Sequence, residues 1–192
     1  MGECKPVSTP MEIGLKGLKL ERAQKEEEIE NIPYQALIGS LMYLAIAMRP
    51  DIMFTISYLS QYNTCFGKTH WQAAKRVLRY LKGTKNIGIR YKKTGSALIG
   101  MADADWVACT IDRRSYTGYI FKYGGGLVSY ATKKQRVVAS STAEAEDMAM
   151  TEAEKKALHL KQLLEDIGVA KQAVPTYHDN LAAQKLANNL IK

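Results

Sequence analysis

Ala97-Leu-Ile-Gly-Met-Ala102, followed by Asp103-Ala-Asp-Trp106, is the stretch whose reading decides the fold. Six small or apolar residues are too few for a buried helix and enough for a buried strand, which delivers Asp103 at its C-terminal end. Downstream, residues 115–123 carry Tyr116, Tyr119, Ile120 and Phe121, Gly124-Gly-Gly126 turns the chain, and residues 127–132 return. This spacing predicts three consecutive antiparallel strands. A long helix is expected over 141–166, closed by Gly168, then a short strand at 174–178 and a final helix from about 181. The order β-β-β-α-β-α, without an internal repeat, specifies an α/β domain.

Three acids in this region stand where a strand ends or a helix begins: Asp103, Glu146 in Ser141-Thr-Ala-Glu-Ala-Glu146, and Asp179 in Thr176-Tyr-His-Asp-Asn180. Carboxylate oxygens are the protein ligands that Mg²⁺ prefers, so convergence of the three would make a metal-dependent nuclease site. Each acid also has a plainer role open to it. Asp103 and Asp105 suit a polar turn before Trp106, and Asp179 suits the N-cap of a helix carrying Ala182, Leu186 and Leu190. Helix phase separates Glu144 from Glu146. Glu144 follows Ser141 by three residues, the spacing of a capping box, whereas Glu146 shares a face with Met150, Ala153, Ala157 and Leu160 and points toward the core. An inward carboxylate needs a partner, and a metal or an Arg would serve equally.

Upstream, the charge is unevenly placed. The net charge of +8 is matched by residues 33–92, which hold nine Lys or Arg against the single acid Asp51, so the remainder of the chain cancels. Leu37, Leu41, Leu44 and Met48 recur at helical spacing, Pro50 stops that helix, and Asp51 can cap a second through about Tyr62. A third helix, from near Thr69 to Lys82-Gly83-Thr84, places Ala74, Val77, Leu78 and Leu81 on one face and Lys75, Arg76, Arg79 and Lys82 on the other. Such a face suits either solvent or the phosphates of a nucleic acid, contacted without reading sequence. Residues 1–32, with Pro6, Pro10 and the run Lys25-Glu-Glu-Glu-Ile-Glu30, read as a linker or a strap over a neighbouring surface.

Composition narrows the class. The longest apolar stretch, 37–48, is broken by Gly39 and Ser40 and is too short to span a bilayer, and Met1-Gly-Glu-Cys4 lacks a signal peptide's apolar run. An intracellular protein with no membrane partner is expected. Cys4, Cys65 and Cys109 have no metal-site spacing, which indicates reduced thiols.

Several segments together carry a family resemblance: Tyr34-Gln-Ala-Leu-Ile-Gly-Ser-Leu-Met-Tyr-Leu-Ala45, Arg49-Pro-Asp-Ile52, His70-Trp71, Lys75-Arg-Val-Leu-Arg-Tyr-Leu-Lys-Gly-Thr84, Asp103-Ala-Asp-Trp106, Asp112-Arg-Arg-Ser115, Ser129-Tyr-Ala-Thr-Lys-Lys-Gln135, Ser140-Ser-Thr-Ala-Glu-Ala-Glu146 and Asp179-Asn180. In this order the chain resembles the C-terminal part of the Pol polyprotein of Ty1/copia-type retrotransposons, the end of the reverse transcriptase region followed by ribonuclease H. After the linker or strap over 1–32, the resemblance makes the basic helical connection over 33–92 the end of the reverse transcriptase region and implies over 93–192 a ribonuclease H-like mixed sheet flanked by helices. It further implies two Mg²⁺ ions, replaceable by Mn²⁺, with Asp103 bridging them and Glu146 and Asp179 each holding one, to hydrolyse the RNA strand of an RNA/DNA hybrid. The reverse transcriptase portion of the parent polyprotein is the implied protein partner, and the polymerase's paired-Asp motif is absent. In the family a further strand and helix follow and carry a fourth metal-site acid, so ending at Lys192 implies a C-terminally truncated domain, active or a catalytically inactive nucleic-acid-binding remnant. Asp147 stands where the family has a tyrosine.

Overall fold

In the computed structural model, which describes residues 4–12, 32–109, 112–169 and 173–178, the apolar periodicity around 37–48 becomes α1, Tyr34–Ala47. A 3-10 turn over Pro50–Ile52 leads into α2, Met53–Ser60, and α3 runs Lys68–Gly83. These helices belong to the first of two units, Met1–Gly88; the second is Ile89–Lys192. No helix among the described residues is long and apolar enough to cross a membrane.

The first unit is built from aromatic and aliphatic side chains of α1 and α2. Tyr34, Ile38, Leu41 and Ala45 are buried with Ile56, Tyr58 and Leu59. The Tyr34 ring stacks on Phe66 with centroids 4.5 Å apart, and its hydroxyl donates to the Leu59 carbonyl at 2.9 Å, which satisfies the one polar atom that this aromatic brings into the core. Burial, with a smaller contribution from Cys65, pushes the Tyr34 phenol pKa well above its ordinary value. His70, also buried, accepts from the Gly67 amide at 2.9 Å through Nδ1 and so closes the N-terminus of α3.

Asp51 does not cap α2. Its carboxylate is engaged by Arg49, whose Nε and NH2 donate to Oδ1 and Oδ2 at 2.9 and 2.7 Å, and by the Tyr80 hydroxyl at 2.8 Å. The nearly sealed Arg49 guanidinium also donates to the Thr84 carbonyl and hydroxyl at 3.0 and 2.6 Å. A two-point guanidinium contact outcompetes a single amide, so this acid ties the turn before α2 to the end of α3.

In the second unit, β1 is Ile99–Asp105, β2 Tyr116–Tyr123, β3 Gly126–Lys134, α4 Thr142–Asp166 and β4 Thr176–Tyr177. The sheet order is β3-β2-β1-β4, antiparallel throughout the meander and parallel between β1 and β4. This is an α/β unit with a four-stranded mixed sheet. Residues 90–92 go with it because the Lys92 amide donates to the Gly124 carbonyl at 2.7 Å and the Tyr91 hydroxyl to the Leu127 carbonyl at 2.7 Å. Gly168, at φ +79°, ends α4 as its spacing predicts. The final helix expected from 181 lies outside the described residues.

β1 is longer than its apolar run. Asp103, Ala104 and Asp105 still pair with Gly118, Thr117 and Tyr116, so Asp103 lies inside the strand and not at its end. Backbone pairing is indifferent to the polarity of a side chain that faces solvent. On the other face α4 packs through Ala153, Ala157 and Leu160 against Leu98, Ala102 and Phe121, small helix residues allowing close approach to the sheet. Gly100 is register partner to Phe121, and a Cβ there would meet the Phe121 ring at 2.5 Å. Only glycine leaves room for the ring.

Two outcomes are expected. Gly100→Ala should destabilise the second unit by about 1–3 kcal/mol through forced movement of Phe121, read as a lowered urea midpoint. Arg49 hydrogen bonds, opposed by burial and aided by Tyr80, hold the Asp51 carboxyl below its ordinary value of 3.8. A depressed folded pKa contributes stability that is complete above the unfolded value and is lost as pH falls through the folded one. Thermal melts should therefore show wild type losing stability below about pH 4, while Asp51→Asn starts roughly 2 kcal/mol lower at pH 7 and loses less on acidification.

Candidate functional site

The turn of α4 that carries the candidate acids is set by a residue between β3 and α4. Gln135 is buried; its amide nitrogen Nε2 donates to the Thr117 hydroxyl at 3.0 Å and to the Ala145 carbonyl at 2.9 Å, and its backbone N–H donates to the Ser115 carbonyl at 2.8 Å. Thr117 is the β2 partner of Ala104, between Asp103 and Asp105. Through this bridge the first turns of α4 are held over the C-terminal half of β1.

Within those turns the two glutamates separate as helix phase predicts. Ser141 is the N-cap, its hydroxyl accepting from the Glu144 amide at 3.2 Å, and the Glu144 carboxylate accepts from the Ser140 amide at 2.6 Å and from the Ser140 hydroxyl. Glu144 reaches one residue further back than a standard capping box. These Ser140 contacts hold its carboxyl below the ordinary range. Glu146 is buried, 7% exposed, with Oε2 sealed from solvent. Asp147 is solvent-exposed.

Asp103 and Asp105 are exposed on β1. Alternation along the strand places Ala102 against α4 and Asp103 on the other face; Glu146 lies in the first turns of α4, next to Ala145, which Gln135 ties to the β2 partner of Ala104. Asp179 lies outside the described residues; the β1–β4 register is described to Met101 opposite Tyr177. Among the described residues, no three His, Cys, Asp or Glu side chains come together as a metal-holding group. The carboxylates have the chemistry Mg²⁺ takes, but the described pair does not by itself form a cage for it.

Sequence reasoning assigned no role to Gln135 or Asp112. Asp112, near the start of β2, faces the Lys134 ammonium at 2.8 Å and Arg114 Nε at 3.5 Å. Burial opposes its ionisation, but hydrogen bonds from Lys134 and Cys109 prevail and hold its carboxyl below the usual range. Neither residue has a periodic signature; both occur in recognisable short motifs, and their partners are distant enough in sequence that only the folded chain identifies them.

The four basic candidates lie on α3 in the first unit. Arg76 donates to the Glu12 carboxylate at 2.7 Å and to the Thr9 hydroxyl at 3.0 Å, Arg79 Nε to the Lys5 carbonyl at 2.8 Å, and Lys82 to the Cys4 carbonyl at 2.9 Å. Residues 4–12 therefore cover much of this face. The Lys75 ammonium sits 5.6 Å from the Trp71 ring centroid. A cavity of about 430 Å³ opens beside Thr69, Gln72, Lys75, Arg76 and Arg79, with Glu12 at its edge.

Comparison with known proteins places this geometry in context. The chain is similar to a Plasmopara viticola protein named secreted RxLR effector protein 161, 46% identical over 133 residues that cover 69% of this chain and 94% of that protein. It is 38% identical over 192 residues to the retrovirus-related Pol polyprotein from transposon TNT 1-94 of Nicotiana tabacum, covering 98% of this chain and 14% of that protein. The corresponding Arabidopsis thaliana polyprotein from transposon RE2 is 38% identical over 188 residues, covering 97% of this chain. The chain thus spans 13–14% of the length of these two polyproteins. No protein-family model matches the chain. No solved structure matches it either.

Gln135→Ala removes two buried side-chain bonds and leaves the Thr117 hydroxyl to find another partner. Expected is a loss of about 1–3 kcal/mol, with amide exchange accelerated in the first turns of α4 before its middle. Hydrogen exchange read by mass spectrometry checks both.

Proposed function

We propose that the chain, which is 38% identical over nearly its full length to retrotransposon Pol polyproteins, is a retroelement-derived ribonuclease H that hydrolyses the RNA strand of RNA/DNA hybrids. The observation carrying this reading is the second unit's arrangement: an antiparallel meander, a helix crossing the sheet, and a fourth strand parallel to β1, with Asp103 and the buried Glu146 at the same end. Such an arrangement is compatible with a ribonuclease H-like fold.

In this reading Asp103, Glu146 and Asp179 are the Mg²⁺-holding and catalytic acids, with Mn²⁺ as a substitute. The metal would supply an activated water and neutralise charge on the departing oxygen. The protein's own task is to place the hybrid. Lys75, Arg76, Arg79 and Lys82 would hold phosphates along α3, while contacts to 2′-hydroxyls would distinguish the RNA strand from DNA. The reverse transcriptase portion of a parent polyprotein is the proposed protein partner.

A second reading is a hybrid-binding remnant without hydrolysis, which the cationic side of α3 would serve without any metal. The two differ in one assay. Incubation of the chain with a labelled RNA/DNA hybrid in Mg²⁺ or Mn²⁺ should yield RNA cleavage that falls by at least about a hundredfold in Asp103→Asn and Glu146→Gln, within the range of losing a principal transition-state contact. Binding without cleavage would establish the remnant instead.

A further inference from the structure

The contacts between residues 4–12 and α3 use the same donors that a phosphate backbone would use. Arg76, Arg79 and Lys82 succeed one another at three-residue spacing along one side of the helix, and each is occupied by an oxygen of the N-terminal segment. Two of those oxygens are neutral backbone carbonyls and one is a hydroxyl, weaker acceptors for a cation than an anionic phosphate oxygen. The one formal charge, on Glu12, belongs to a side chain 63% exposed, and exposed ion pairs contribute little.

The fit is also incomplete. Arg76 directs NH1 and NH2 to separate residues, while Nε is sealed from solvent without a hydrogen-bond acceptor. A phosphate can take two guanidinium N–H groups at once, which this segment does not do. No helix or strand forms over residues 4–12. Seating depends instead on the end of α3, where a Cβ on Gly83 would meet the Pro6 Cβ at 3.0 Å.

We propose that residues 4–12 are an intramolecular competitor for nucleic-acid phosphates on α3, released when an RNA/DNA hybrid takes over Arg76, Arg79 and Lys82. This regulation rests on the reading of that face as the hybrid-holding surface. The segment keeps the cations paired when no hybrid is bound, and apparent affinity is reduced in proportion to the fraction of time the face is uncovered.

The test is a polarisation titration of the full chain with a fluorescein-labelled RNA/DNA hybrid over a series of salt concentrations. Glu12→Gln and Gly83→Val should each bind about two- to fivefold tighter than wild type. Gly83→Val changes no charge, so a gain there reports displacement of the segment and not a shift in net charge. Arg76→Ala should bind more weakly with a shallower salt slope. If Arg76→Ala weakens binding while Glu12→Gln and Gly83→Val both match wild type, the competitor is overturned and the hybrid surface stands. If Arg76→Ala matches wild type, or no form binds, the hybrid surface falls and the competitor with it.

Discussion

One buried amide determines where the second unit can place its acids. Gln135 joins the Thr117 hydroxyl on β2 to the Ala145 carbonyl on α4, and so sets which helical turn faces which part of β1. The alanines at 145, 149, 153 and 157 then let the helix lie close along the sheet. With that turn fixed, helix phase leaves Glu146 facing inward and Glu144 at the exposed N-terminus. Burying a carboxylate costs free energy that its partners must offset, whereas Glu144 keeps its carboxylate in solvent.

The first unit uses charge in two different ways on one helix. At the end of α3, Arg49 is nearly sealed and makes bonds to Asp51 and Thr84, with Tyr80 completing the carboxylate. Desolvated and multiply bonded groups of this kind are costly to break, because a lost partner leaves a buried charge behind. Along the side of the same helix, Arg76, Arg79 and Lys82 meet residues 4–12 through solvent-exposed contacts. Those contacts can exchange for others at little cost. Rigid at its end and exchangeable along its side, α3 is suited to present a cationic face that changes occupant.

Much of the architecture was legible from pattern. Alternation and turn residues located the meander, the 3.6-residue period located α1, α3 and α4, and phase separated Glu146 from Glu144. In α1, however, the buried stripe is Tyr34, Ile38, Leu41 and Ala45, while of Leu37, Leu44 and Met48 the first two are half-buried and the last is exposed. The misreadings have local causes. Apolarity ends at Ala102, but β1 continues because Asp105 still pairs with Tyr116, and the ladder does not require apolar side chains on a solvent face. Asp51 stands where a cap belongs, yet Tyr80, 29 residues later, and the adjacent Arg49 hold its carboxylate. The cap rule considers only neighbours and could not weigh that competition. Residues 4–12 read as a linker or strap, and only the folded chain identifies α3 as what they cover.

By itself the sequence determined the class of the second unit, the order of its elements, the phase of its acids and the location of the positive charge, because each depends on spacing along the chain. Tertiary structure alone decided that Gln135 carries α4 and that the basic face already has an occupant. These outcomes depend on groups brought together from 10 to 78 residues apart, and no local period encodes such pairings. The retroelement ancestry is written in the motifs; the accessibility of the basic face is written only in the packing.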